Sequence, residues 1–334
     1  MAALRPFLRS CLSSVVRPQG RTIAGNGAGY FFTRRFVASA AVDAGAYGHP
    51  HGGAVVQLLA EPAARGALVD GCGGRAIDLT ERQACDVELL MCGAFSPLDG
   101  FMDEATYDSV VEKMRTPQQQ LMGMPVTLDV PAGAEYAAGD DVLLRYRGQD
   151  VAVLHVSDAY APDKDKEAAL CYGTASEEHP TVHELKNDIG PTYLGGRVSG
   201  LALPERPFAH KTPLEVRREV WGDALVPASR DEKMIAFQCR NPIHRSHFEL
   251  IRRAANDFSA NVLVHPTCGP TQPGDIEALL RIRTYDALRE EIGDPDNIRW
   301  ANLPYSMKMA GPRECVHHMI LRKPVVILQR TFLD

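Results

Sequence analysis

The stretch from Met234 to Phe258 constrains the fold of this chain more than any other. Met234–Phe237 is a short apolar run, typical of a buried strand. Further on, apolar side chains recur at helical spacing, at Phe248, Ile251, Ala255 and Phe258. The residues between these two patterns are mostly polar, and we call the segment Gln238–His247 the motif turn. A buried strand therefore leads into a polar turn, and the turn opens an amphipathic helix.

The start of this helix can be placed in two ways. Asn241 could cap it, with Pro242 at the first helical position. Alternatively, Ser246 caps it, and Glu249 three residues later closes a capping box. In both cases the polar side chains of the motif turn crowd around a helix N-terminus.

This surrounding suits an anion, because a helix N-terminus carries partial positive charge and unpaired N–H groups. Arg240 adds a planar set of donors that matches a tetrahedral oxyanion or a phosphate. If the helix has begun by His244, then His244 and His247 form an i,i+3 pair on one face. Two imidazoles there can donate to phosphate oxygens as charge builds in a transition state. The motif turn therefore predicts an anion or nucleotide-phosphate site at the carboxyl end of a strand.

Two other interpretations of the histidine pair stay open. Histidines near a helix start also occur as surface or capping groups. Zinc is the second alternative, but the zinc-protease pattern has histidines at i,i+4 with a glutamate after the first. His244 and His247 are at i,i+3 with no acid between them. We therefore predict no metal site here.

Strands and helices alternate from about His210 onward. The hydrophobic pattern predicts strands at Met234–Phe237, Asn261–His265, Ile298–Asn302 and Val325–Leu328, and helices that run to Asp257, over Asp275–Ile292 and over Pro312–Arg322. Such alternation is typical of a parallel α/β sheet. Ligands of these sheets bind beyond the carboxyl ends of the strands, and the motif turn lies at such an end.

The segment from about Tyr47 to Ala209 predicts a mixture of helices and strands. Helices are expected at Glu81–Met91 and Glu104–Met114, and strands at Pro125–Val130, Asp141–Arg147 and Asp150–Val156, the last two joined by a Gly148-Gln149 turn. Gly71-Cys72-Gly73-Gly74 lacks the lysine and the spacing of a phosphate-binding P-loop. His155, His179 and His183 are expected to be structural or surface residues.

The motif turn resembles the Gln-x-Arg-Asn-Pro-x-His-x-x-His signature of the ATP sulfurylase (sulfate adenylyltransferase) family. Other segments are similar to the family in the same order: Pro50–Gly53, Gly93–Met102, Tyr172–Thr174, Gly195-Gly196, His265-Pro266, Pro273–Asp275, Arg281–Tyr285 and Ala310–Glu314. The resemblance covers about Ala46 to Lys323, and His-Arg-Ser-His is closer to the fungal and bacterial form than to the plant or animal one.

The resemblance implies an α/β protein of two domains. Residues 46–209 would form a PUA-like mixed β-barrel domain. Residues 210–334 would form a parallel-sheet, Rossmann-like nucleotidyltransferase domain with the His-x-x-His motif, incomplete at its C-terminus. The family continues beyond this point through a strand into a Gly-Arg-Asp-His-Ala-Gly loop that holds the adenine nucleotide and sulfate, whereas the resemblance here stops at Arg322-Lys323.

The family joins sulfate to ATP, with Mg²⁺, and releases pyrophosphate. By resemblance, Gln238 and Arg240 would hold sulfate and Asn241 would orient the triphosphate. His244 and His247 would stabilise the charge on the departing pyrophosphate. Cys239 stands where many members carry Thr or Leu, so only its backbone is expected to matter. Asp275, Arg281, Arg283 and Arg313 are further candidates, for which ordinary salt bridges are the alternative.

Two alternatives to this activity remain. The chain could be a non-catalytic, anion-binding remnant of the enzyme, or another nucleotidyltransferase that uses the same His-x-x-His chemistry. The expected partners are the small molecules sulfate and ATP, and homo-oligomerisation is left open.

Residues 1 to about 45 differ from the rest of the chain. They hold six arginines and no acidic residue before Asp43. An arginine-rich leader that lacks acids predicts an organelle transit peptide. Arg34-Arg35-Phe36 before Val37–Ala40 suits a mitochondrial cleavage region, and a plastid address is the alternative.

Charge and composition exclude several classes of protein. The formal charge is −6 and would be −12 without the six leader arginines, so the body is a poor binder of nucleic acid. No stretch approaches the roughly 18 apolar residues of a membrane span. The eight cysteines form no Cys-x-x-Cys motif and are expected to be mostly reduced, although a redox pair of Cys85 and Cys92 stays open.

Overall fold

The computed structural model describes residues 48–229, 231–293 and 295–325 and the strand Thr331–Phe332. The leader and most of the strand predicted at Val325–Leu328 lie outside the described residues. The helices of the described part are α1 (Arg65–Gly71), α2 (Glu81–Met91), α3 (Glu104–Lys113), α4 (Lys164–Glu167), α5 (Pro180–Asn187), α6 (Pro213–Trp221), α7 (Arg245–Phe258), α8 (Ala278–Ile292) and α9 (Gly311–Arg322). Its strands are β1 (Ala76–Asp78), β2 (Gly100–Phe101), β3 (Leu128–Val130), β4 (Asp141–Tyr146), β5 (Gln149–Tyr160), β6 (Thr192–Gly200), β7 (Lys233–Phe237), β8 (Ala260–Val264), β9 (Ile298–Trp300) and β10 (Thr331–Phe332).

The first sheet is mixed and has the order β1-β4-β5-β6-β2, with β3 also paired to β6. β1 and β4 are parallel, and the other pairs are antiparallel. The resemblance implied a barrel. Within the described residues the sheet stays open, because the edge strands β1 and β2 have only three and two residues and pair only with β4 and β6.

The turn between β4 and β5 lies one residue earlier than the sequence indicated. Tyr146 pairs with Gln149, so the two turn residues are Arg147 and Gly148, and the predicted Gly148-Gln149 turn is wrong by one residue. Both turn residues have positive φ, of 50° and 80°. Positive φ at both central positions matches the right-handed twist of the flanking strands, and Gly148 adopts it without a steric penalty.

The second sheet is parallel throughout and has the order β10-β7-β8-β9. This confirms the parallel α/β arrangement predicted for the second half of the chain. α7 connects β7 to β8, and α8 connects β8 to β9. β7 lies inside the sheet between β10 and β8, so its carboxyl end, where the motif turn begins, is flanked by strands on both sides.

The two halves share one hydrophobic core. Leu303, Tyr305, Ile320 and Leu321 pack in the same buried cluster as the residues of the first sheet. At the junction, α9 packs closely against Gly123. A Cβ atom at Gly123 would lie 2.6 Å from the carbonyl oxygen of Arg313, so a larger residue would not fit there. The second sheet is thus built directly onto the first half.

Buried charges also join the two halves. Glu88 of α2 is fully buried and pairs with Arg206 at 2.7 Å and with His210 at 3.0 Å. Lys308 lies 3.4 Å from Asp86 on the same helix. A buried ion pair is costly to break, because the remaining charge is left without compensation. These pairs fix the orientation of the second half against α2.

The cysteines and several histidines have structural surroundings. The seven cysteines of the described part are all free, so the pair of Cys85 and Cys92 that the sequence left open does not form. These two are seven residues apart along a helix, about 10 Å, beyond the reach of a disulfide. His155 lies between Asp141 at 2.7 Å and Ser199 at 2.9 Å.

Among the described helices, none combines the length and the apolar character that crossing a membrane requires.

Candidate functional site

The first two residues of the motif turn belong to the carboxyl edge of the second sheet. Gln238 and Cys239 are 4% and 0% exposed. The N–H of Thr267, which follows β8, donates to the carbonyl of Cys239 at 2.9 Å. The side chain of Gln238 donates to the hydroxyl of Thr267 at 3.2 Å. Thr267 therefore holds the end of β7 in place through both backbone and side chain.

α8 fixes the next two residues from behind. The guanidinium of Arg281 donates to the carbonyl of Arg240, and the hydroxyl of Tyr285 donates to the carbonyl of Asn241 at 3.0 Å. Arg281 and Tyr285 are 1% and 2% exposed and stand one helical turn apart on one face. Two successive carbonyls of the motif turn are therefore held by one buried helix face. The sequence reasoning gave Tyr285 no role, although its i,i+4 spacing from Arg281 was the available signal.

The side chain of Arg240 is oriented by an acid. Its Nη1 lies 3.0 Å from Oδ2 of Asp275 and 3.6 Å from the sulfur of Met309. The side chains of Arg240 and Asp275 are 26% and 11% exposed. The ion pair therefore holds a partly accessible guanidinium at the carboxyl end of β7, and Asp275 acts on the site through Arg240.

The helix begins between the two predicted caps. α7 starts at Arg245, and His244 is its N-cap residue, with extended backbone and no side-chain capping bond. The caps predicted at Asn241 and at Ser246 are both wrong. Glu249, expected to close a capping box, instead binds Arg252 and Arg253 at 2.9 and 2.6 Å. The bonds from α8 hold residues 240 and 241 outside the helix, which explains why Asn241 does not cap it.

The two histidines of the motif come together at this helix start. Their rings stack with centroids 3.7 Å apart and an interplanar angle of 27°. Nδ1 of His244 lies 2.9 Å from the hydroxyl of Ser246, and the ring of His247 lies 5.8 Å from that of Phe237. His244 is exposed and His247 is half-buried, so the stack presents imidazole edges at the N-terminus of α7.

The predicted site residues thus fall into two groups. His244 and His247 contact each other, whereas the contacts described for Arg240 are with Asp275 and Met309 at the opposite end of the turn. Gln238 and Cys239 are buried beneath the turn, and Asn241 is exposed between the two groups. The structure joins them through the backbone of one short turn rather than through side-chain contacts.

Two buried guanidinium groups lie behind the turn. Arg322 is fully buried, and it donates to Nδ1 of His318 at 3.1 Å and to the carbonyl of His265 at 3.0 Å. Burial lowers the pKa of Arg322 to about 10, which still leaves it charged at neutral pH. Arg281 also donates to a carbonyl. Both side chains bring positive charge to the carboxyl end of the sheet, which favours an anion there.

The remaining candidates lie elsewhere. Arg313 donates to the carbonyls of Gly123, Val111, Leu170 and Val110 at 2.6 to 3.0 Å, so it joins the two halves of the chain instead of facing the motif turn. Arg283 is exposed on α8 and lines a separate cavity. Within the described ranges no cluster of three or more His, Cys, Asp or Glu side chains has the geometry to hold a metal ion.

Comparison with known families divides the chain in two. Residues 48–203 match the family model of the PUA-like domain, and residues 210–325 match that of ATP-sulfurylase. Among solved structures the chain is similar to a hexameric APS kinase from Thiobacillus denitrificans, with a TM-score of 0.68 and 25% sequence identity. That similarity covers 86% of this chain and 56% of the other.

Curated relatives are named sulfate adenylyltransferase. Those of Aspergillus fumigatus and Kluyveromyces lactis are 42% and 38% identical to this chain, each over 82% of its length. The matches cover 48% and 55% of the two relatives, so the chain spans about half the length of the curated proteins that it matches. The family models and these relatives point to the same family. The chain therefore belongs to the ATP-sulfurylase family, with a PUA-like domain ahead of the sulfurylase domain.

Proposed function

We propose that the protein transfers the adenylyl group of ATP to sulfate, giving adenosine 5′-phosphosulfate and pyrophosphate. The observation that carries this proposal is the pair of stacked imidazoles at the N-terminus of α7, directly after a buried parallel strand. A helix N-terminus with two further donors suits the phosphate groups of a nucleotide. The names of the curated relatives support the same activity.

The reaction needs little proton transfer from the protein. Sulfate is already a dianion at neutral pH, so no general base has to activate it. What the protein must supply is position and charge stabilisation, because two anions have to approach each other. Buried positive groups such as Arg281 and Arg322 lower the cost of that approach.

The residues of the motif turn divide this work. We assign sulfate to Arg240 together with Gln238, whose amide is oriented by Thr267. Asn241, exposed between the two groups, would orient the triphosphate. His244 and His247 would donate to the phosphate oxygens as pyrophosphate departs. Cys239 is fully buried, so it contributes its backbone and not its thiol.

Magnesium would enter with the nucleotide. Carboxylates and substrate phosphates are its usual ligands in proteins. Asp275 at the motif turn is engaged by Arg240, so this described acid offers no ready magnesium ligand. Bound Mg²⁺ would neutralise part of the phosphate charge, and the protein groups would act on the oxygens that remain.

The proposal is tested by sulfate-dependent release of pyrophosphate from ATP by the 334-residue chain. We expect release that requires sulfate and exceeds that of the His244→Ala variant. Release that His244→Ala does not lower would mean that the stacked histidines take no part. If neither the unmodified chain nor this variant releases pyrophosphate in response to sulfate, the result would favour an anion-binding remnant. Adenylation of another acceptor, with sulfate inert, would favour a different nucleotidyltransferase.

We also propose that residues 1–45 direct the protein to mitochondria. The arginine-rich, acid-poor composition of this leader supports the proposal. A fusion of residues 1–45 to a fluorescent protein should enter mitochondria, and the same fusion with Arg34 and Arg35 replaced by glutamate should not. Accumulation of the first fusion in plastids would support the alternative address, and a diffuse signal would contradict both.

A further inference from the structure

A cavity lies beside α8. It has a volume of about 580 Å³ and is formed by three segments of the chain. One wall is Pro207–Lys211, the link between the two halves, a second is the outer face of α8, and the third is Trp300–Asn302 at the end of β9. None of the motif-turn residues lines it. Its volume falls in the range of small-molecule sites.

The wall of this cavity carries aromatic rings. Phe208, Tyr285 and Trp300 line it, and the guanidinium of Arg289 lies 5.9 Å from the centre of the Trp300 ring. The indole N–H of Trp300 is buried and has no hydrogen-bond partner among the described residues. This N–H is enclosed by protein atoms, so the cavity offers a ligand its aromatic rings rather than this donor.

The same wall is positively charged in an otherwise acidic chain. Among the described residues, Lys211, Arg283 and Arg289 line the cavity against one acid, Asp286, whereas the whole chain has a formal charge of −6. Lys211 is paired with Glu219 at 2.5 Å. Arg283 is exposed, and no ion pair involves it within the described ranges. Its planar donors are therefore available for an anionic group.

We propose that this cavity binds a nucleoside phosphate, at a site separate from the motif turn. The base would lie against the rings of Phe208 and Trp300, since aromatic faces stack on bases. Arg283 would bind the phosphate. The site does not depend on the proposed sulfate activity, because its residues are not those of the motif turn.

Tyr285 connects the cavity to the motif turn. Its ring lines the cavity, and its hydroxyl donates to the carbonyl of Asn241 at 3.0 Å. A ligand that packs against this ring would touch the helix face that holds the motif turn. The cavity is therefore placed where a bound nucleotide can influence the site of chemistry.

Tryptophan fluorescence gives a direct test, because Trp221 and Trp300 are the two tryptophans of the chain. In the Trp221→Phe variant, titration with AMP should change the emission of Trp300 and then saturate. Adding Arg283→Ala should weaken the apparent affinity for AMP by about tenfold or more, because a charge-assisted bond to phosphate is lost. Arg252→Ala, which removes an exposed arginine from α7, should leave the affinity unchanged.

The proposal would be overturned if AMP caused no saturable change in tryptophan emission, or if Arg283→Ala left that change intact. It would also be overturned if His244→Ala abolished the change, because AMP would then be bound at the motif turn. If Trp221→Phe reduces the yield of folded protein, the same titration is done on the unmodified chain. The part of its response that disappears in Trp300→Phe is then the signal of the cavity. Adenosine, which lacks the phosphate, should bind more weakly than AMP in either format.

Discussion

Replacement of Arg240 by methionine is expected to slow sulfate-dependent pyrophosphate release by about 10²–10³-fold, the usual cost of removing one donor to a developing anion. Methionine keeps much of the length of the side chain and removes its charge and its planar donors. The backbone of the motif turn should stay in place, because Arg281 and Tyr285 bind the backbone carbonyls of residues 240 and 241. These bonds do not involve the side chain of Arg240. The loss should therefore appear in the rate more than in the stability.

The matched control is Arg245→Met. Arg245 lies five residues later, at the first position of α7, and its side chain is exposed. The change in charge and size is the same, so a general effect of charge on anion attraction would slow both variants equally. We expect Arg245→Met to stay within a few-fold of the unmodified chain. Equal rates for the two variants would contradict the assignment of Arg240.

A second control distinguishes the loss of the Arg240 donors from the effect of an unpaired Asp275. Arg240→Met leaves Asp275, 11% exposed, without its cation, and an unpaired carboxylate could itself repel sulfate. In the double variant Arg240→Met with Asp275→Asn that repulsion is absent. We expect the double variant to stay slow, because the missing donor is the main defect. Recovery of the rate in the double variant would instead assign the loss to Asp275. Sulfate-induced thermal stabilisation of each variant gives a readout that needs no turnover.

Local patterns predicted the secondary structure of this protein well. The helix Glu81–Met91 was predicted with the bounds that the structure has, and the parallel order of β7, β8 and β9 followed from the alternation of strands and helices. These features depend on periodicity and on short connections, which are visible within about 20 residues of sequence. The histidine pair was also predicted as one face of a helix start, because its i,i+3 spacing is local.

The errors come from contacts between distant parts of the chain. Both predicted caps of α7 follow local rules, but the bonds from Arg281 and Tyr285 to the motif turn span 41 and 44 residues and keep Asn241 outside the helix. Arg313 was a candidate site residue, yet its partners lie 143 to 203 residues away in the first half of the chain. A single sequence does not indicate which donor reaches which carbonyl over such distances. The surroundings of the site were therefore less predictable than its motif.

Acid is expected to destabilise the folded chain strongly between pH 7.5 and pH 5.5. His265, His317 and His318 are 3%, 1% and 2% exposed. Burial, and then the neighbouring positive charges, lowers the pKa of all three, and that of His317 to about 3. His317 and His318 are buried residues of α9, and His265 follows β8, so their protonation would charge the interior next to Arg322.

The sign follows from proton uptake. In the unfolded chain a histidine has a pKa near 6.5, and in the folded chain these three have lower values. Below pH 6.5 the unfolded chain therefore binds more protons, and stability falls as the pH falls. At pH 5.5 each histidine lowers the free energy of unfolding by about 1.4 kcal/mol, so the three together lower it by about 4 kcal/mol. Glu167 acts in the opposite direction, because burial raises its pKa and its protonation on acidification favours the fold.

His317→Phe separates this effect from general acid sensitivity. His317 packs between Phe95 and Tyr305, with ring centroids at 5.5 and 5.9 Å, so phenylalanine fills the same space without a titrating group. Urea unfolding at pH 7.5 and pH 5.5 should show a loss of stability about one third smaller in this variant than in the unmodified chain. His183→Gln, which changes an exposed histidine, should reproduce the full loss. If His317→Phe lost as much stability as the unmodified chain, this buried imidazole would not be the group that responds to acid.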